Sequence, residues 1–461
     1  MNKFLLFALI INILSCKNTE INTHTVRFAG EIVNPTSEYV VLMKGRHVVD
    51  SAKLDGNNRF SFVLDSIENG LYNFQHEPEH QYVYLERGDS LLFRLNTSDF
   101  DESLVFSGTN EVVNNFMLEL FLADEQVESD MHNTYYELGA DDFSKEIEKL
   151  RTEKLRYLDE VRSESYMSDK AYEIVRASIN YTYYRFKEIY PFAHKRKLRE
   201  TVVQDMPTGF YDYRKDINYN NEDLVYLRPY YNFMKSHFGN VSYMTCANAC
   251  DTNGVAIKNH LHFNKHKLRV IDSLVKTKDL RDNLFRNVAI DFLLRSHDIP
   301  ENNALFLKEF ELVSANNAHH NEISNLYHAV QSISPNNPVP QIPLLNFKGD
   351  TVKMADLSKD RKTIYYFWSS RDKRHYENIF KRVAELEGQK VAYDLVGINI
   401  KSDPNEWKGI INTYNLDTSK QFRASDGKEV TEKLVVWPLN KCIVTHDVVI
   451  VDAFSNIYNR F

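Results

Sequence analysis

The stretch IYYFWSSRDKRHYENIF, residues 364–380, decides the reading of the C-terminal part of the chain. Its first five residues are apolar or aromatic without interruption, as in a strand buried on both faces. After Ser369 and Ser370 charges dominate, while Ile379, Val383 and Leu386 recur three to four residues apart, the period of a helix with one buried face. Working outward, the pattern predicts a strand at 363–368, a helix at 372–387, a strand at 394–400, a helix at 404–414, and strands near 439–445 and 448–453. A β-α-β start followed by a hairpin makes a mixed, layered α/β domain. On the upstream side, SISPNNPVPQIPLLNFKGD carries Pro335, Pro338, Pro340 and Pro343, which lack amide donors and favour extended backbone. It reads as a linker into this domain, placed at 334–461.

The residues of 338–458 carry a resemblance. PVPQIPLLNFKGDTVKMADLSKDRKTIYYFWSS is similar to the opening of the periplasmic thioredoxin-like family of TlpA/ResA type, with Phe367, Trp368 and Ser370 on the family's pattern. LVGINI (395–400) resembles the next core strand and VTHDVVIVDAF the closing hairpin. VVWPLNKCIV places Pro438 where the family keeps a cis-proline facing its active site. The resemblance implies a thioredoxin-like fold with Trp368 as a scaffold residue. It fails at the reactive centre, where Asp372 and His375 occupy the two positions that hold cysteines in the family. Disulfide exchange needs an attacking thiolate, and neither carboxylate nor imidazole forms a mixed disulfide. Three-residue spacing puts Asp372 and His375 on one face of a first helical turn, so an acid–base pair is geometrically allowed. The alternative is structural: Ser369-x-x-Asp372 as a loose capping box, with Lys373, Arg374 and His375 on a solvated face.

Upstream, residues 25–108 read as an antiparallel β-sandwich. THTVRFAGEIVN, YVVLMKG and NRFSFVL are short β-prone runs, DGNN at 55–58 is a turn, and HQYVYLERGDSLLFRLN is a hairpin. The segment resembles the domain of unknown function that precedes thioredoxin modules in Bacteroidota envelope lipoproteins, through FAGEIVN, VVDSAKLDGNNRFSF, LERGDSLLFRL and LVFSGTNEVVNNFM. No catalytic role comes with that likeness. Residues 109–333 change character: DDFSKEIEKLRTEKLRYLDEVRSESY is an amphipathic helix, and further helical patterns cover 170–190, 223–237, 265–294 and 302–330. An all-α middle region follows.

The chain opens MNKFLLFALIINILSC. Its apolar run, residues 4–11, falls short of the about 20 residues a spanning helix needs but suits a secretory signal. ILSC resembles a lipobox, which implies lipidation at Cys16, a signal peptide at 1–16, a polar tether at 17–24 and anchoring to a membrane of the cell envelope, on the outer-membrane or periplasmic side. In an exported chain disulfides persist. Cys246 and Cys250 can then close a local disulfide, remain thiols, or ligate a metal with His260 and His262 nearby, and Cys442 is expected in the core. The aromatic run INYTYYRFKEIYPFAHKRK could stack on a ligand but fits a helix core better.

Acidic residues outnumber basic ones 64 to 56 over 461 residues, for a formal charge of −8, which offers no whole-chain case for nucleic-acid binding. No phosphate loop, dinucleotide fingerprint or hydrolase elbow occurs, and no cofactor is expected. The sequence thus points to a redox-inactive, thioredoxin-like envelope lipoprotein that binds a protein partner. The alternatives are thiol–disulfide chemistry through Cys246 and Cys250, or a Cys/His metal-binding protein.

Overall fold

The computed structural model describes residues 24–246, 250, 257–295, 298–437 and 439–459. Cys16, the leader and Pro438 lie outside the described residues. Two compact units are present, and each is described by itself: one comprises residues up to 200 with 205–217 and 221–233, the other 201–204, 218–220 and 234–461. Among the described residues no helix is long and apolar enough to cross a membrane.

The first unit opens with eight strands, β1 (Val26–Val33), β2 (Tyr39–Lys44), β3 (His47–Lys53), β4 (Arg59–Leu64), β5 (Gly70–His76), β6 (Glu79–Leu85), β7 (Ser90–Asn96) and β8 (Val105–Gly108). They form two four-stranded sheets, β4-β1-β7-β8 and β3-β2-β5-β6. Alternation sets the inner faces: RFSFVL in β4 alternates strictly between exposed and buried residues. Phe28, Phe60, Phe62, Phe74, Phe93 and Phe106 form the shared core, with the rings of Phe74 and Phe93 stacked 4.5 Å apart. The expected sandwich is not purely antiparallel, because β1 runs parallel to β7. The chain visits the other sheet between those two strands, so a crossover joins them rather than a hairpin.

The short α1 (Phe100–Ser103) precedes the helices α2 (Glu111–Asn133), α3 (Ala140–Glu164) and α4 (Asp169–Lys197). Two adjacent asparagines at the start of α2 serve the sheets. Asn114 accepts from the Tyr84 N–H (2.7 Å) and donates to the Tyr84 carbonyl (3.0 Å) on edge strand β6. Asn115 does the same to Phe106 on edge strand β8, at 3.0 Å each way. Each amide stands in for a missing strand. The aromatic run of α4 is packing: Tyr181, Tyr183, Phe186 and Tyr190 are buried, with Tyr190 stacked on Phe143 at 4.1 Å. Buried Glu188 accepts from the Tyr213 hydroxyl (2.8 Å) and the Arg214 guanidinium (2.9 Å), so its charge is compensated.

Helix α5 covers Arg228–Cys246. The second unit continues with α6 (His260–Leu274), α7 (Lys278–Arg295), α8 (Pro300–Val313) and α9 (His320–Ser332). The helical patterns expected to run through 265–294 and 302–330 are each divided in two. The first breaks after Leu274, where Val275 turns extended (ψ 115°).

A seven-stranded sheet follows, in the order β10-β9-β13-β12-β11-β14-β15. Its elements are β9 (Pro343–Leu345), β10 (Thr351–Lys353), β11 (Lys362–Ser369), α10 (Lys373–Gly388), β12 (Asp394–Lys401), α11 (Pro404–Thr413), β13 (Gln421–Ala424), α12 (Gly427–Lys433), β14 (Lys441–His446) and β15 (Val449–Asn456). Strand β11 lies inside the sheet, parallel to β12 and antiparallel to β14. Ile364, Tyr366 and Trp368 pack with Ile379, Val383 and Leu386 of α10, while Tyr365 and Phe367 join the cluster on the other face, with Val430 of α12. Burial on both faces explains the unbroken apolar run. Gly427, which opens α12, comes so close to β12 that a Cβ there would sit 2.0 Å from the Ile400 carbonyl oxygen.

Candidate functional site

At the C-terminal end of β11 the ladder with β12 shifts register between Trp368 and Ser369, and the chain leaves the sheet. Open α/β sheets place their sites at this end of parallel strands. Two serines tie the departing loop to the loop after β12. Ser369 Oγ donates to the Lys401 carbonyl (2.9 Å), the Ser370 N–H donates to Ser402 Oγ (3.1 Å), and Ser370 Oγ donates to Glu406 (2.8 Å). The indole of Trp368 is fully buried beneath, with edge-to-face contacts to Phe380 (5.1 Å) and Tyr376 (6.2 Å).

Asp372 and His375 are brought together, but as parts of the helix start. The cap of α10 is Asp372 itself, whose carboxylate accepts from the His375 N–H at 2.9 Å. The expected box with Ser369 as the cap does not form: the Ser369 hydroxyl donates to the Lys401 carbonyl and accepts from the Arg371 N–H (3.3 Å), ahead of the helix. Nor is His375 a solvated side chain. Its ring Nε2 lies 3.0 Å from the Phe367 carbonyl. A carbonyl only accepts, so that nitrogen carries the proton and donates. The pair therefore closes two backbone ends that β11 and α10 leave open: a carbonyl where the ladder slips, and an amide in the first turn. Arg371, Lys373 and Arg374 are exposed around it.

Three residues at the same end of the sheet, where β14 begins beside the C-terminal end of β11, sharpen the picture. Cys442 is fully buried on β14, opposite Tyr366. Lys441 beside it is 5% exposed, and its ammonium donates to the carbonyls of Leu434 (2.6 Å) and Val435 (2.8 Å) just past α12. Burial lowers its pKa from 10.5 to about 7. Lys441 thus holds the segment leading to Trp437, which is 55% exposed immediately before Pro438. Neither residue was singled out by sequence reasoning. A lysine opening the apolar run KCIV was the available signal for Lys441.

The other sulfur-bearing place is the corner between α5 and α6. Cys246 and Cys250 form a disulfide, with α-carbons 5.5 Å apart. A ring nitrogen of His262 and the two sulfurs lie within 4.8 Å of one another, and His260 is not part of that group.

No protein-family model matches the chain, and no curated protein matches it. Among solved structures, a thioredoxin-like protein from Bacteroides caccae ATCC 43185 is 11% identical over 53% of this chain and 86% of its own, with a TM-score of 0.32. A thiol-disulfide oxidoreductase from Bacteroides fragilis NCTC 9343 is 19% identical over 25% of this chain and 88% of its own, with a TM-score of 0.22. A thioredoxin-like protein from Parabacteroides distasonis ATCC 8503 is 20% identical over 27% and 90%, with a TM-score of 0.21. The thioredoxin-like character of the C-terminal part rests on its own element order: hairpin β9–β10, inner strand β11, helix α10, parallel strand β12 and closing hairpin β14–β15.

Proposed function

We propose that this chain is a cell-envelope lipoprotein, anchored through a lipid at Cys16, whose thioredoxin-like part binds a protein partner without exchanging disulfides. The observation that carries this reading is the use made of the two positions where the resembling family keeps sulfur: Asp372 caps α10 and His375 donates to the Phe367 carbonyl. Both are engaged in holding the fold, and residues 369–375 contain no cysteine. Cys442, buried on β14, is placed for packing. For binding, the support is the exposed indole of Trp437 next to Pro438, and the three cations around the loop, Arg371, Lys373 and Arg374. The leader MNKFLLFALIINILSC supports the anchor, and the overall charge of −8 favours a protein over a nucleic-acid partner. The reading with Cys246 and Cys250 as an exchange pair has less support, since the pair lies where α5 ends, away from the strand–helix junction of the thioredoxin-like part.

Insulin reduction by the detergent-solubilised full chain tests the first half: the rate should equal the uncatalysed one, and activity lost in Cys246→Ser would overturn the proposal. Crosslinking in native envelopes tests the second half. One stoichiometric membrane protein should be recovered with the wild type and lost with Trp437→Ala.

A further inference from the structure

The end of α5, Cys250 just beyond it and the first turn of α6 bring two sulfurs and an imidazole together. The Cys250 N–H donates to the Cys246 carbonyl at 2.8 Å, and the two side chains are joined as the disulfide. On the opposing helix the side chain of Asn259 caps α6 by accepting from the His262 N–H at 2.9 Å. That cap fixes His262 in the first turn. One turn later His266 Nε2 lies 2.7 Å from Thr245 Oγ1, whose own proton goes to the Val241 carbonyl (2.8 Å), so the ring is the donor. This bond clamps the histidine row of α6 against the end of α5. It leaves both sulfurs and a His262 ring nitrogen within 4.8 Å of one another, with the cysteines buried and His262 exposed.

We propose that this corner is a redox-gated zinc site, closed as the Cys246–Cys250 disulfide and opened by its reduction, with Cys246, Cys250 and His262 as ligands. In the disulfide the sulfurs are bonded to each other and lack the thiolate charge a cation requires. A dithiol reductant supplies two electrons and two protons and leaves as its own disulfide, which gives two thiols here. Zinc then displaces both thiol protons, forms two Zn–S bonds and one Zn–N bond, keeps its oxidation state, and takes water in the fourth position. Tetrahedral zinc with bonds of about 2.3 Å to sulfur and about 2.0 Å to nitrogen sets its donors roughly 3.5–3.8 Å apart. That spacing fits within the 4.8 Å group once the S–S bond is cut. The positive end of α6 favours the two thiolates. The zinc site is independent of the function proposed for the thioredoxin-like part.

The test uses the full chain in detergent, zinc or cobalt ions alone as the probe, and a phosphine reductant, which avoids a competing thiol ligand. After reduction, a chromophoric chelator competition should report one zinc per chain, and cobalt should show a thiolate-to-metal charge-transfer band. The oxidised chain should show neither. His262→Ala leaves the disulfide and its packing untouched and should weaken zinc binding by about tenfold or more, in line with the loss seen even for residues behind the ligands. Cys250→Ser should abolish the cobalt band, and His260→Ala should change nothing. Equal zinc binding before and after reduction, a disulfide that resists reduction in the folded chain, or unchanged affinity in His262→Ala would each overturn the proposal.

Discussion

The junction at 369–375 and the corner formed by Cys246, Cys250 and His262 set different side chains against different scaffolds. At the junction, a strand of a parallel sheet ends beneath a helix N-terminus, over a buried tryptophan, with a carboxylate and an imidazole bonded back into the backbone. At the corner, two sulfurs and an imidazole meet where α5 ends and α6 begins. The fold associated with disulfide exchange carries no sulfur at its junction, and the sulfur pair sits outside that fold. Chemistry follows the side chains and their surroundings rather than the architecture.

The strongest way to break this contrast is to return sulfur to the junction. The double change Asp372→Cys, His375→Cys should raise insulin reduction by about tenfold or more over the uncatalysed rate, because a helix N-terminus lowers a thiol's pKa. No gain would mean that the scaffold, and not only the sulfur, has been lost. Next in size is the buried indole. Trp368→Ala should cost about 3–5 kcal/mol in urea denaturation, as for other large-to-small core changes. A cost near zero would mean that the junction is far softer than its packing implies.

Lys441 gives a pH test. Its folded-state pKa of about 7 lies below the ordinary 10.5. Between those values the unfolded chain holds the proton and the folded one has released it, so stability contributed here rises as pH rises from 7 toward 10. The gain is a few kcal/mol, at about 1.4 kcal/mol per unit. Relative to wild type, Lys441→Met should flatten that slope, and an unchanged slope would show the ammonium to be better compensated than its burial suggests. The smallest effect belongs to the cap. Asp372→Ala should cost about 1 kcal/mol of stability and leave partner capture intact, whereas lost capture at full stability would give Asp372 a direct role in binding.

Much of the C-terminal order was legible because an inner strand buried on both faces has no polar alternation to disguise it. IYYFW and the 3.6-residue spacing of Ile379, Val383 and Leu386 locate β11 and α10 within a residue or two. The cap was placed three residues early because Ser369 has the right chemistry for a cap, and nothing local reveals that Lys401, 32 positions away, engages its hydroxyl. The role of His375 depends on a register shift at Trp368/Ser369, which is a property of two strands together. For the same reason the parallel β1–β7 pair could not be read from short β-prone runs. The nearness of His262 to the cysteines is likewise tertiary, because spacing alone gives His260 and His262 equal standing.

The paired asparagines at 114 and 115 bear on how the sandwich survives outside its native setting. Each occupies one open strand margin, Tyr84 on β6 and Phe106 on β8. An unoccupied margin is a template for another chain. The seal for both sheets is therefore carried by a helix that follows them in the chain, and the eight strands are complete before they are safe. A fragment ending at Gly108 would present two adhesive edges to any copy of itself, so the shortest piece of this unit to remain monomeric should extend through the first turns of α2.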